Sequence, residues 1–233
     1  MSSKPSGEAV RLSMSELLHS SVWFDALDAA AQTQVQADIQ EQHVATGQFL
    51  AHRGETQTHW YGVLEGLLKW SSSSPDGRAV TLGGLSVGSW FGEGSLLRGT
   101  PRQADIVALR HSRVAALPLE TFHWLHQTQI QFSHFLLEQI NERLHWFMGD
   151  FTAHRLLDAD QQVARALSGL FHPLFHPRRD KHLQISQEEI ANLAGVSRQR
   201  CNSALTRLKD SGFIAVEYGG ITVFDLDGLL GSE

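Results

Sequence analysis

The chain has 233 residues, enough for one large or two small domains, and 42% of them are hydrophobic, which allows a sizeable buried core. Its single cysteine, Cys201, excludes an internal disulfide framework and a cysteine-ligated iron–sulfur cluster within one chain. The N-terminal residues lack the apolar core of a signal peptide, and no apolar run is long enough for a membrane span, so we expect a cytoplasmic protein.

The charge of the chain is unevenly distributed. The net charge is −6, yet segment 178–209 contains seven basic and three acidic residues. Contact with phosphate depends on the local sign of the charge, so this segment is a candidate for nucleic-acid binding despite the acidic total.

Short helices and then short strands are predicted in the first half of the chain. We expect disorder over residues 1–12 and short helices over residues 14–18 and 25–42, and the expected packing positions are Leu27, Val35 and Ile39. From residue 44 to residue 117, glycines separate short apolar runs, which predicts an antiparallel barrel or sandwich. The runs are 48–51, 60–64, 67–71, 80–85 and 106–109, with a predicted turn at 74–77.

A long helix is predicted from about residue 130 to residue 156, after a short helix at 121–125. Apolar side chains recur in it at spacings of three and four residues, the pattern of a helix–helix seam. The seam consists of Leu137, Ile140, Leu144, Phe147, Phe151 and His154, while Phe132, Phe135, Leu136 and Trp146 lie off it. One helix with two apolar stripes predicts a homodimer through Leu137, Ile140, Leu144, Phe147 and Phe151. In the alternative, the helix packs only on its own β domain.

A hinge is predicted at Leu157 and Asp158, where Asp158 or Asp160 can cap the next helix. The hinge divides the chain into a first domain over residues 1–157, which includes the predicted dimerisation helix at about 128–157, and a second domain over residues 158–233.

Capping and turn residues predict two short helices in the second domain. Ser186 and Glu189 form a capping box, and Gly195 supplies the left-handed residue of a sharp turn. Ser197 caps the second helix, which buries Cys201, Ala204, Leu205 and Leu208 on one face.

A β-hairpin is predicted directly after these helices. Gly212 ends the second helix, and residues 214–217 and 221–224 flank Tyr218-Gly219-Gly220. Helix, turn, helix and hairpin is the order of a winged helix-turn-helix, whose second helix enters the major groove of DNA. The alternative is an ordinary helix pair with a solvated polar face. The DNA-binding candidates are Arg178, Arg179, Ser186, Ser197, Arg198, Gln199, Asn202, Ser203 and Arg207.

Two stretches resemble a known family. EEIANLAGVSRQRCNSALTRLKDSGFI is similar to the helix-turn-helix of the cyclic-AMP receptor protein/fumarate–nitrate regulator family, and YGVLEGLLKWSSSSPDGRAVTLGGLSVGSWFGEGSLL resembles its sensor β-roll. The resemblance covers roughly residues 45–225. It implies an α+β fold with an N-terminal cyclic-nucleotide-binding-like β-roll (jelly-roll), a long dimerisation helix and a C-terminal winged helix-turn-helix. It also implies a palindromic duplex operator, RNA polymerase as a partner, and a base-reading role for Arg198.

The sequence around residues 91–104 resembles the family's phosphate-binding cassette. The resemblance implies that Arg102 binds a phosphate, and that Glu93 accepts a hydrogen bond from a ribose hydroxyl. In the alternative, Arg102 only pairs with Glu93 or Asp105. The ligand-binding candidates are Gly92, Glu93, Gly94, Ser95, Arg102, Gln103, Phe147 and Met148.

Two departures from the family pattern count against cyclic AMP. Gln103 replaces the usual Ser or Thr, and Phe147 and Met148 stand where the cyclic-AMP receptor protein offers hydroxyls to adenine. The effector is therefore unknown, with a cyclic mononucleotide other than cyclic AMP or a cyclic dinucleotide as candidates. The alternatives are a regulator without a nucleotide, constitutive or heme-sensing, and a cyclic-nucleotide-binding module that does not act through DNA. The usual motifs of hydrolases, P-loop proteins and zinc enzymes do not occur, so an enzyme is not expected.

Overall fold

The computed structural model describes residues 11–73, 79–172, 181–217 and 219–231. The remaining residues include the expected turn at 74–77, the proline-containing stretch 173–177, Arg178, Arg179 and Tyr218. Within the described ranges, no helix combines the length and the apolar character needed to cross a membrane.

An antiparallel β-roll occupies the N-terminal half of the described chain. Its strands are β1 (Gln40–Val44), β2 (Phe49–Ala51), β3 (His59–Glu65), β4 (Leu67–Ser73), β5 (Ala79–Ser86), β6 (Trp90–Phe91), β7 (Asp105–Ala108) and β8 (Ser112–Pro118). They form two sheets, with the orders β1-β8-β3-β6 and β2-β7-β4-β5. The five apolar runs recognised in the sequence correspond to β2, β3, β4, β5 and β7.

The N-terminal helices are α1 (Met14–His19), α2 (Val22–Asp25) and α3 (Ala29–Asp38). The predicted helix over residues 25–42 is therefore wrong at its C-terminal end, because Gln40 begins β1 and pairs with Ala116 of β8. This pairing joins residues that are far apart in sequence, and local periodicity does not report it. The expected packing positions Leu27, Val35 and Ile39 are all buried.

Three more helices complete the sensor, α4 (Glu93–Arg98), α5 (Leu119–Thr128) and the long α6 (Ile130–Leu156). The first turns of α6 pack on the β-roll through Phe132 and Leu136, which are fully buried. Phe132 lies edge-on to Trp23 and Trp60, with ring centroids 5.4 Å away in each case. An aromatic cluster of this kind buries a large apolar area and fixes the helix on the sheet.

The C-terminal part has the element order of a winged helix-turn-helix. Its elements are α7 (Ala159–Leu170), β9 (His182–Leu183), α8 (Gln187–Ala194), α9 (Arg198–Asp210), β10 (Ile214–Glu217), β11 (Gly220–Val223) and α10 (Leu226–Gly231). The strands form one antiparallel sheet in the order β10-β11-β9. Between α6 and α7, Asp158 caps α7 by accepting hydrogen bonds from the backbone N–H groups of Asp160 and Gln161.

The winged helix-turn-helix packs directly on the β-roll. Leu67 of β4 is buried in the apolar cluster of the C-terminal part. Gly84 of β5 permits this approach, because a Cβ atom added there would lie 2.4 Å from Cδ2 of Leu170 in α7. An ion pair, Arg110 with Glu189 of α8, joins the two parts at 3.9 Å. Movement of the C-terminal part therefore has to break contacts with β4 and β5.

Candidate functional site

The caps predicted for the helix-turn-helix are present with good geometry. The Ser186 hydroxyl accepts from the Glu189 N–H at 3.1 Å, and the Glu189 carboxylate accepts from the Ser186 N–H at 2.6 Å. Gly195 ends α8 with a φ of 65°, and Ser197 caps α9 by accepting from the Arg200 N–H at 3.4 Å. Both cap hydroxyls therefore act in fixing the helix ends.

Helix α9 presents one polar face to solvent. Its apolar positions, Cys201, Ala204, Leu205 and Leu208, are buried, and burial raises the pKa of the Cys201 thiol to about 11. Arg198, Gln199 and Ser203 are exposed on the other side, whereas Asn202 is only half-buried. Three of the predicted base-facing side chains are thus free of the core and can reach a DNA groove.

Arg207 differs from the other predicted DNA contacts. Its guanidinium donates two hydrogen bonds, from Nε and Nη2, to the two carboxylate oxygens of Asp160 in the first turn of α7. These hydrogen bonds raise the pKa of Arg207. No local sequence pattern indicates this partner, which lies 47 residues away.

The cassette begins where β6 ends. Gly92 caps α4 with a φ of 107°, and Gln57 fills the space in which a Cβ atom would lie. Gly94 has no heavy atom within 4 Å of a Cβ position, and it is exposed. The backbone at the start of α4 is therefore open on the side of Gly94.

Glu93, the first residue of α4, is buried and forms an ion pair with Arg143 of α6. Arg143 also donates to the backbone carbonyl of Trp90 and lies over the Trp70 ring, 5.2 Å from its centroid. The carboxylate predicted to accept from a ribose hydroxyl thus already binds a guanidinium. The sequence contained a signal for the burial of Arg143 but not for its partner, because Arg143 continues the buried spacing of Phe132, Leu136 and Gln139 along α6.

Arg102 is buried, and among the described residues no carboxylate pairs with it. Its guanidinium lies over the Tyr61 ring, 5.4 Å from the centroid, and burial lowers its pKa. Neither of the two acids considered in the sequence pairs with it, since Glu93 binds Arg143 and Asp105 accepts from the Arg53 N–H at 2.8 Å. The charge of Glu55 and a hydrogen bond to the Tyr61 hydroxyl favour the charged guanidinium, and an anionic ligand in direct contact would stabilise this buried cation further.

Aromatic side chains of β4 and α6 lie beside a small cavity that no cassette residue lines. Trp70 and Phe147 lie with ring centroids 6.4 Å apart beside a cavity of about 40 Å³. That volume suits a few water molecules and is far below the roughly 300–1,000 Å³ of typical ligand sites. Met148 is 60% exposed and does not line this cavity. Of the two predicted base contacts, only Phe147 lies at the cavity.

The same cavity is lined from both parts of the chain. The sensor contributes Leu82 of β5 in addition to the aromatic side chains, and the winged helix-turn-helix contributes Ala166, Leu170 and Leu193. Any enlargement of the cavity that moves these side chains therefore also changes the packing of α7 and α8 on the β-roll.

Two family models match this chain in the two parts just described. Residues 41–129 match the cyclic nucleotide-binding domain, and residues 161–231 match the Crp-like helix-turn-helix domain. The chain belongs to the Crp/Fnr family of transcription regulators. It is a DNA-binding regulator with a cyclic-nucleotide-binding domain and not an enzyme, so the expected α+β fold and this function are confirmed.

Individual relatives agree with this assignment. The chain is 27% identical over 179 residues to the cAMP-activated global transcriptional regulator CRP of Haemophilus influenzae, covering 75% of this chain and 80% of the relative. It is 26% identical to the nitrogen fixation regulation protein FixK of Bradyrhizobium diazoefficiens, covering 86% and 84%. The structure of FixK2 from Bradyrhizobium japonicum has the same fold, with a TM-score of 0.70 at 16% identity, covering 83% of this chain and 96% of that one.

The buried ion pair generates a first prediction. Arg143→Met should lower the free energy of unfolding by about 3–5 kcal/mol, because it leaves the buried Glu93 carboxylate without its partner. The double variant Glu93→Gln/Arg143→Met should recover much of this loss, since it leaves no uncompensated charge. Urea denaturation of the wild-type protein and these two variants measures the effect. Equal destabilisation by the single and double variants would contradict the assignment of the pair.

Proposed function

We propose that the chain acts as a homodimer on palindromic duplex DNA in the cytoplasm, and that it regulates RNA polymerase in response to an anionic nucleotide. The observation that carries the effector is the buried Arg102 guanidinium, which the charge of Glu55 influences but with which no carboxylate among the described residues forms an ion pair. We place the boundary between sensor (1–157) and DNA-binding domain (158–233) at the residues that link α6 to α7.

The dimer is supported by the exposed side of α6. Leu137, Leu144 and Phe151 are 67%, 56% and 61% exposed although they are large and apolar. They repeat with the spacing of a helix–helix seam, together with Ile140 and Phe147. A second copy of the same helix would bury this stripe. The resulting two-fold axis would present two α9 helices to half-sites about 34 Å apart.

The recognition surface is supported by the exposed face of α9. Arg198 follows the Ser197 cap directly, so its side chain lies at the N-terminal end of the helix, the end that approaches base edges in this class of motif. Gln199, Asn202 and Ser203 form the remainder of the proposed base-reading set. Ser186 and Ser197 lie at helix N-termini, which are suited to phosphate.

A substitution at Arg198 tests this surface. Arg198→Ala should weaken specific binding by about 1–3 kcal/mol and relax the preference at one base pair in each half-site, because one base-edge contact is lost. Lys209→Ala is the matched control, since it removes an equal charge from the last turn of α9 and should leave the base preference unchanged. Selection of preferred duplexes from a random pool measures both. An unaltered preference in Arg198→Ala would overturn the proposed docking of α9.

The effector site is supported by the arrangement of charge and backbone. Arg102 supplies a cation, and Gly92, Gly94 and Ser95 lie at the start of α4, where backbone N–H groups can bind phosphate. Glu93 would accept from a ribose hydroxyl in addition to binding Arg143, and Gln103 lies exposed at the edge of the cassette. Phe147 and Trp70 lie where a base would stack.

Control of DNA binding follows from the small size of the cavity. A base cannot fit in about 40 Å³, so it would have to displace Trp70, Phe147 or the side chains that α7 and α8 place there. Nucleotide binding would then favour a different packing of the winged helix-turn-helix on β5. A ligand shifts such an equilibrium only through its different affinity for the two arrangements.

Calorimetry tests the effector proposal directly. Wild-type protein should bind cyclic GMP or cyclic di-GMP more tightly than cyclic AMP, because Phe147 and Met148 offer no hydroxyl to adenine. Arg102→Ala should lose about 2–5 kcal/mol of binding free energy. Arg98→Ala is the matched control, an exposed arginine at the end of α4, and should bind like wild type. Tight binding of cyclic AMP, or binding of none of the three nucleotides, would contradict the proposal.

A further inference from the structure

The acidic side chain of Asp160 lies beside α9, the helix proposed to read bases. Asp160 is in the first turn of α7, and it accepts both hydrogen bonds of the Arg207 guanidinium. Arg207 is largely exposed, and the Asp160 side chain is about one-third exposed. The neighbouring Asp158 carboxylate instead accepts from the backbone N–H groups that begin α7.

The pair lies at the edge of the proposed DNA-reading surface. The first turn of α7 and one flank of α9 line an open groove together, and its lining residues are Asp158, Ala159, Asp160, Gln199, Arg200, Ser203 and Arg207. Gln199 and Ser203 belong to the face of α9 proposed to read bases. A duplex that contacts these two side chains would therefore bring its phosphates near Asp160 and Arg207.

We propose that Asp160 takes the place of a DNA phosphate within the chain, so that Arg207 is a positioning residue for α9 rather than a phosphate contact. A carboxylate and a phosphate offer the same pair of acceptor oxygens to the fork of an arginine. As long as Asp160 occupies that fork, Arg207 cannot bind a phosphate through it. The inference rests on the proposed docking of α9 in the major groove.

The consequence is a lower affinity for DNA of any sequence. Non-specific binding derives its free energy from the counterions released when basic side chains neutralise phosphates. The pairing removes one cation from that set and places a carboxylate next to the duplex. Base-edge contacts are unaffected, so specific and non-specific affinities fall by the same factor and their ratio is unchanged. Asp160 in this sense sets the strength of DNA binding without contacting a base.

The competing explanation is an exposed ion pair with no role in binding, since many such pairs contribute little. The two explanations differ in the dependence of binding on salt. If Arg207 contacts a phosphate in the complex, removing it lowers the slope of log affinity against log salt. If Asp160 holds Arg207, removing Arg207 from the wild-type protein leaves the slope unchanged, and removing it lowers the slope only in the Asp160→Asn background, where the guanidinium is free to bind phosphate.

The experiment is a double-mutant cycle on this slope, measured by fluorescence anisotropy with the full chain and a non-specific duplex between about 50 and 200 mM salt. Asp160→Asn should steepen the slope by about 0.9, the value for one more neutralised phosphate. Arg207→Gln alone should leave the slope at the wild-type value. The double variant should have the wild-type slope, because it lacks the Arg207 guanidinium that Asp160→Asn would free.

Glu188→Gln is the matched control, because Glu188 has the same position in the first turn of α8 but forms no ion pair among the described residues. Glu188→Gln should steepen the slope by less than about 0.9, the value for one neutralised phosphate. Thermal melting checks that Asp160→Asn is folded. We expect it to be folded because Asp158, and not Asp160, caps α7. A wild-type slope in Asp160→Asn, or a reduced slope in Arg207→Gln alone, would overturn the inference. Absence of duplex binding by the wild-type protein would instead overturn the proposed function.

Discussion

Helix α6 has to pack on two sides, and the rest of the structure depends on this requirement. One side contributes Phe132 and Leu136 to the aromatic core and places Arg143 against the buried Glu93 of the cassette. The other side exposes apolar residues, among them Leu144 and Phe151, that no described part of the chain covers. An exposed apolar stripe of this length is unfavourable for an isolated monomer and favours association.

The same helix connects the proposed effector site to the DNA-binding part. Phe147 lies at the cavity beside Trp70, and Trp146, the preceding residue, packs where Gly169 of α7 leaves room for its ring. Gly149 leaves room in the same way for the Arg165 guanidinium, which lies over the Trp146 ring, 4.6 Å from its centroid. A shift of α6 would therefore change contacts in the cassette and in α7 together. This shared packing would be the physical basis for the proposed effector control.

Local features of the structure could be predicted from the sequence, and features that depend on distant residues could not. The bounds of α6 and the caps at Ser186 and Ser197 follow from periodicity and hydrogen-bonding chemistry within a few residues. The end of α3 was misplaced because β1 forms by pairing with β8. The partners of Glu93 and Arg207 were missed for the same reason, since they lie 50 and 47 residues away. The residue types of the site were therefore predictable, while the pairing of its charges was not.

The central claim is that α6 uses one side within the chain and the other side for a second copy. Light scattering of the wild-type protein at tens of micromolar tests it most directly. We expect the mass of a dimer, and the mass of a monomer for Leu144→Asp/Phe151→Asp, because burial of charge at the seam is strongly unfavourable. Glu138→Gln, a change at an exposed polar residue of the same helix, should remain dimeric. A wild-type protein that is monomeric at this concentration would contradict the account.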